Sequence, residues 1–190
     1  MNDEVFEKAK EEDIDLSFTK AGRFLIYSLW IQSQLSDLII LDRNKGIIND
    51  FNTNPIMPEI LQRERFIFWE KDFKEVKEIF EKEFSNQLTK QAKLDLNAIY
   101  YLRNAISHSQ VSVGRKYLLY KPNNKKTLDL IREVINITNK DDPDPNLVRD
   151  IIKIDFSENE QILMNLIKRF DETFLKEICK NIGVVHPRIR

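Results

Sequence analysis

Apolar residues recur along most of the chain at three- and four-residue steps, the period of helices with one buried face. From about Ser17 to Asp42 the stripe is marked by Phe24, Ile31, Leu35 and Leu38, and Leu25, Leu29 and Ile39 widen it. Arg43 and Lys45 followed by Gly46 form a helix stop. The next stretch, IINDFNTNPIMPE, carries two prolines and three asparagines and reads as a connection. A second helix is predicted from Pro58 or Glu59 to about Phe84. Its core stripe is Phe66, Trp69, Phe73, Val76, Phe80 and Phe84, and Glu70, Asp72, Lys74, Glu75, Glu78 and Lys82 form a solvated face.

Thr89 is a suitable N-cap for a third helix reaching about His108 or Ser109. On it Leu94, Ala98, Ile99, Leu102, Ala105 and Ile106 take the packing side. Arg103, Asn104, Ser107 and His108 fall within an arc of about 140° on the other side. Leu96 and Tyr100 share that polar side. Beyond it, Lys116 to Tyr120 reads as a strand, Pro122-Asn123-Asn124 as a turn and Thr127 to Ile137 as a helix with Leu128, Ile131, Val134 and Ile135 inward. Thr138 to Asn146, TNKDDPDPN, is a surface loop. Asp150 to Phe156 is a second strand, expected to pair with Lys116 to Tyr120. Ser157 and Glu160 have capping-box spacing before a last helix to about Asn181, with Leu163, Leu166, Ile167, Phe170, Phe174 and Ile178 inward. Gly183 and Pro187 end it. The expected fold is mainly all-α: a bundle of about four main helices with a small β-hairpin-like insertion after the third. A single domain is expected over residues 1–190, flexible over about 1–14, with 111–156 connecting to the final helix.

Composition narrows the chemistry. Only four glycines are present, so no glycine-rich phosphate loop can be built. Net charge is −1, yet from Gln87 to Lys126 the basic residues Lys90, Lys93, Arg103, Arg115, Lys116, Lys121, Lys125 and Lys126 face only Asp95. A polyanion would be steered to such a segment; simple solvated lysines are the ordinary alternative. The single Cys179 excludes an intramolecular disulfide and fits a buried small hydrophobe in a reducing setting. The acidic N-terminus MNDEVFEKAKEED lacks a secretory signal. Gln32, Gln34 and Asp37 make Phe24 to Leu41 a buried bundle helix rather than a membrane span. A cytoplasmic protein is expected. The histidines are His108 and His186 alone, without HxH, HExxH or CxxC spacing, so neither metal nor cofactor is expected. His186, in the IGVVHPRIR tail, reads as a surface residue. No serine has a G-x-S-x-G setting.

The candidate chemistry therefore lies in Arg103-Asn104-Ala105-Ile106-Ser107-His108. An imidazole exchanges protons near neutral pH, and a guanidinium offers a rigid fork of donors to a phosphate. Together they suit cleavage of a phosphodiester that supplies its own nucleophile, as RNA does through its 2′-hydroxyl. The ordinary alternative is a histidine favoured by the dipole at a helix C-terminus.

Arg103, the polar Asn104, three further residues and His108, in the run YYLRNAISHS, resemble the R-x4–6-H motif of the HEPN superfamily. The likeness covers Ser17 to Asn181 in architecture but only Arg103 to His108 in motif. It implies a HEPN-like helical bundle that acts as a metal-independent endoribonuclease. His108 would be general acid or base, Arg103 would stabilise the transition state, and Asn104 would orient them. Ser107, Arg115 and Lys116 would bind substrate. With one motif per chain, a composite site in a homodimer is implied. RNA is the implied partner, beside an antitoxin or defence-system protein in a prokaryotic toxin–antitoxin or antiviral setting. A non-catalytic HEPN-like module that binds RNA, nucleotide or protein is the alternative, and a helical dimerisation protein a third.

Overall fold

The computed structural model describes residues 11–54, 56–111, 117–135 and 150–186. The protein is mainly helical. Two compact units make up the chain, one of Met1–Ile26 with Ala98–Leu166 and the other of Tyr27–Asn97 with Ile167–Arg190. Each dividing point falls inside a helix: α1 (Glu11–Arg43), α5 (Lys90–Ser107) and α7 (Phe156–Arg169).

In the second unit, Ile31, Leu35, Leu38 and Ile39 of α1 are buried, as the heptad-like stripe requires. Leu29, expected beside them, is 48% exposed. The Leu16–Arg43 stretch is long and apolar enough to cross a membrane, but 61% of its most apolar window is buried inside the protein. Its buried Asp37 is held by the fork of Arg65, whose Nε donates at 2.6 Å and whose Nη2 donates to the second oxygen. After α1 come a 3-10 turn (Lys45–Ile47) and a short helix α2 (Ile48–Thr53), where a plain connection was expected. The buried Phe51 anchors it.

The predicted helix from Pro58 to Phe84 is two helices, α3 (Glu59–Trp69) and α4 (Phe73–Glu83). The break is built by Asp72. Its side chain accepts from the Glu75 N–H at 2.8 Å, and Glu75 accepts from the Asp72 N–H at 2.9 Å, forming a capping box. The interruption changes the phase of the stripe. Phe73, Val76, Phe80 and Phe84 are buried as predicted, whereas Phe66 is 60% and Trp69 71% exposed, and Leu61 and Phe68 take the inner positions of α3. Charged residues from Glu70 to Lys82 are solvated where expected, but Lys77 is buried and bonds Glu81 at 3.0 Å.

Thr89 caps α5 by accepting from the Ala92 N–H at 3.1 Å. In its first turns the buried side includes Leu96, not Leu94, which is 47% exposed. Asp95 explains the rotation: it is buried and accepts two bonds from Arg169, at 2.8 and 2.6 Å.

The last helix passes from α7 through a π-helical turn, Phe170–Leu175, into α8 (Lys176–Ile182). All six predicted inward positions from Leu163 to Ile178 are buried. Gly183 at φ 80 ends α8, a left-handed geometry that costs glycine little. The tail then folds back. Asn52 donates to the Gly183 carbonyl at 2.7 Å and accepts from the Val185 N–H at 2.9 Å. His186 is consequently buried, 2.9 Å from Asp171, and is not the surface residue expected.

In the first unit, β1 (Gln110–Val111) follows α5 and pairs antiparallel with β2 (Tyr117–Tyr120), which pairs antiparallel with β3 (Ile152–Asp155). The expected two-stranded pairing is present, with a short third strand added. Helix α6 (Lys125–Val134) lies between β2 and β3 in sequence and is capped by Asn124, which accepts from the Thr127 N–H at 2.9 Å. Leu128, Ile131 and Ile135 are buried. Helix α7 begins at Phe156, so Ser157 lies inside it rather than capping it, and Glu160 pairs with Lys20 at 3.2 Å and Arg23 at 3.6 Å. The Ser157 side chain, the Thr138–Asn146 loop, Pro187 and residues 1–10 lie outside the described residues.

Candidate functional site

Helix α5 buries Ala98, Ile99, Leu102, Ala105 and Ile106, which fixes the rotation of its last turns. Arg103 and Asn104 are thereby left half-buried, and Ser107 and His108 exposed. The structure brings these four predicted site residues together on one side. Arg115 and Lys116 lie outside the described residues.

The motif closes its own helix end. A helix leaves its last carbonyls without intrahelical partners. Here the His108 N–H donates to the Asn104 carbonyl at 3.0 Å, and Ser107 Oγ donates to the Arg103 carbonyl at 2.9 Å. Ser109 Oγ donates to the Ala105 carbonyl. Ser107 thus serves the backbone and keeps its lone pairs for a donor.

Arg103 Nη1 donates to Asn104 Oδ1 at 3.0 Å. This contact orients the guanidinium without neutralising it. Among the described residues, no carboxylate lies within ion-pair distance of Arg103 or His108. The arrangement offers a fixed positive fork and an accessible imidazole within five residues of one helix.

Comparison with family models, with characterised proteins and with solved structures finds no match for this chain.

Two neighbours of the motif are not among the site residues read from the sequence. Tyr100 stands one turn before Asn104 and is half-buried, its ring centroid 5.0 Å from that of Tyr101. Tyr120 ends β2, whose register sets Leu119 opposite Gln110, two residues after His108. Burial, and then the neighbouring Tyr100, push the Tyr120 phenol above its ordinary 10.0, so it stays a neutral hydrogen-bonding group. The signal was the spacing Tyr100–Asn104, but Tyr120 needed the strand register. Lys121, Lys125 and Lys126 are exposed beyond it.

Other reactive side chains are engaged in packing. Burial, and then Asp171, push the Cys179 thiol up to about 12, so it is no nucleophile near neutral pH. Among the described residues, no group of three or more His, Cys, Asp or Glu side chains is placed to hold a metal ion.

Proposed function

We propose that the protein is a metal-independent endoribonuclease of HEPN type, acting as a homodimer whose composite site joins two copies of Arg103 and His108. The observation that carries this reading is the pairing of Arg103 with the neutral Asn104, beside an exposed His108, with neither side chain paired to a carboxylate among the described residues. One imidazole takes the proton of the 2′-hydroxyl as its oxygen attacks phosphorus. The bond from phosphorus to the 5′-oxygen breaks, and the second copy's imidazole supplies the proton to the leaving oxygen. Arg103 stabilises the charge gathering on the phosphoryl oxygens. Products carry 2′,3′-cyclic phosphate and 5′-hydroxyl ends. The family resemblance also leads us to propose a cytoplasmic prokaryotic defence or toxin–antitoxin setting, with an antitoxin as partner.

The test is cleavage of a mixed RNA panel in EDTA by wild type, His108→Ala and Arg103→Ala. Wild type should cleave, leaving cyclic phosphate ends, and each variant should be slower by about 10²-fold or more. Equal activity in all three would overturn the reading. RNA binding without cleavage would make the protein a binding module.

A further inference from the structure

The break that Asp72 makes after α3 leaves that helix apolar on two sides. Leu61 and Phe68 are buried, whereas Phe66 and Ile67 are 60% and 57% exposed. At 100° per residue, Arg63, Phe66, Ile67 and Glu70 fall within an arc of about 100°, on the side away from Leu61 and Phe68. Trp69 flanks this seam and meets Phe66 edge to face, with ring centroids 4.7 Å apart. With about 150–250 Å² in a whole aromatic side chain, these two rings alone leave about 200–300 Å² open. Ile67 adds to that area and carries the patch into the range that marks an interaction site on a monomer.

The charges at the two ends of the seam indicate what covers it. Glu64 and Arg65, towards the inner side, are engaged within the chain: Asn44 donates to Glu64 at 3.2 Å, and Arg65 holds Asp37. Arg63 and Glu70 are exposed, and neither is in an ion pair with another of the described residues. They stand about two helical turns apart, with Phe66 and Ile67 midway between them. A second α3 laid antiparallel about a two-fold axis beside Phe66 and Ile67 sets Arg63 of each copy against Glu70 of the other. Phe66 then packs on Ile67 across the axis. A parallel copy would put like charges together. We propose that the outer face of α3 is an antiparallel self-association surface, and that its occupant is α3 of a second copy of this chain. The two faces and their charged ends bury about 1,000 Å² in total, the low end of specific interfaces, which suits a dimer that forms at micromolar concentration. The proposal does not depend on the ribonuclease reading, since α3 belongs to the second unit and Arg103 to the first.

The test is sedimentation velocity of the full chain in low salt from about 1 to 200 µM, where wild type should dimerise with a Kd of about 10 µM. Phe66→Ser with Ile67→Ser, at two exposed positions, should weaken association about tenfold or more while the circular dichroism stays that of wild type. Arg63→Glu and Glu70→Arg should each weaken it about fivefold, because each sets like charges face to face at both ends of the seam. An equal mixture of these two variants should associate as tightly as wild type, since every charge then meets its opposite across the pair. No effect confined to one chain gives that recovery. A wild type that stays monomeric throughout overturns the proposal. So does a dimer that survives the serine substitutions, or a mixture that associates no more tightly than its components. RNA cleavage is scored on the same samples. Cleavage that needs His108, by a protein whose dimer ignores the α3 variants, removes the α3 pairing and leaves the enzyme reading. An α3-dependent dimer that cuts no RNA does the reverse.

Discussion

Arginines are used in opposite ways in the two units. In the second, Arg65 and Arg169 each clamp a buried carboxylate, Asp37 and Asp95, with two bonds. In the first, Arg103 is bonded to its neighbour's amide and keeps its charge available. The histidines divide likewise: His186 is buried on Asp171, and His108 is exposed. A charge already matched inside the fold has little left to offer a ligand. An unmatched one at a half-buried position costs the fold something and is retained where it can meet an anion.

This contrast makes measurable claims. Arg65→Ala leaves Asp37 buried without its partner and should cost about 2–4 kcal/mol in urea unfolding followed by circular dichroism, discounted for the partial exposure of the guanidinium. Arg103→Ala should stay within about 0.5 kcal/mol of wild type. A large loss for Arg103→Ala would show that it, too, is structural. His186→Ala should cost about 1–3 kcal/mol by removing a buried hydrogen bond to Asp171, against almost nothing for His108→Ala. Asp72→Ala removes one capping box and should cost about 1 kcal/mol.

The smallest effect concerns pH. Burial raises the Asp37 carboxyl above 3.8, with Arg65 opposing the shift. The folded state then holds this proton more tightly than the unfolded state. The resulting stabilisation is complete below the unfolded value and is lost as pH rises through the raised one. Wild type should therefore lose ground to Asp37→Asn between pH 4 and pH 7. A gap that is constant, or that moves the other way, would mean that the Arg65 fork outweighs burial.

Long-range contacts mark where the sequence stopped being readable. Stripes on α1, α4 and α7 were legible because burial on a helix obeys a local period, and Thr89 was legible because a cap acts within three residues. The capping box of Asp72 and Glu75 was equally local, but six apolar residues at regular steps, all aromatic except Val76, ran across it and concealed the break. His186 needed Asn52, more than a hundred residues earlier in the chain, to hold the tail that buries it. At the site, Arg103, Asn104, Ser107 and His108 were visible as neighbours on one helix. Tyr120 was not, since nothing short of the β1–β2 register brings its strand beside the residues that follow His108.

The broken helix has an optical consequence. Both tryptophans, Trp69 at 71% and Trp30 at 43% exposure, face solvent in the folded protein. Their emission should already sit near that of the unfolded chain, leaving almost no spectral change on denaturation. The same rings become reporters of a different event: any molecule that settles over Trp69 would move its emission to shorter wavelength while the core stays silent.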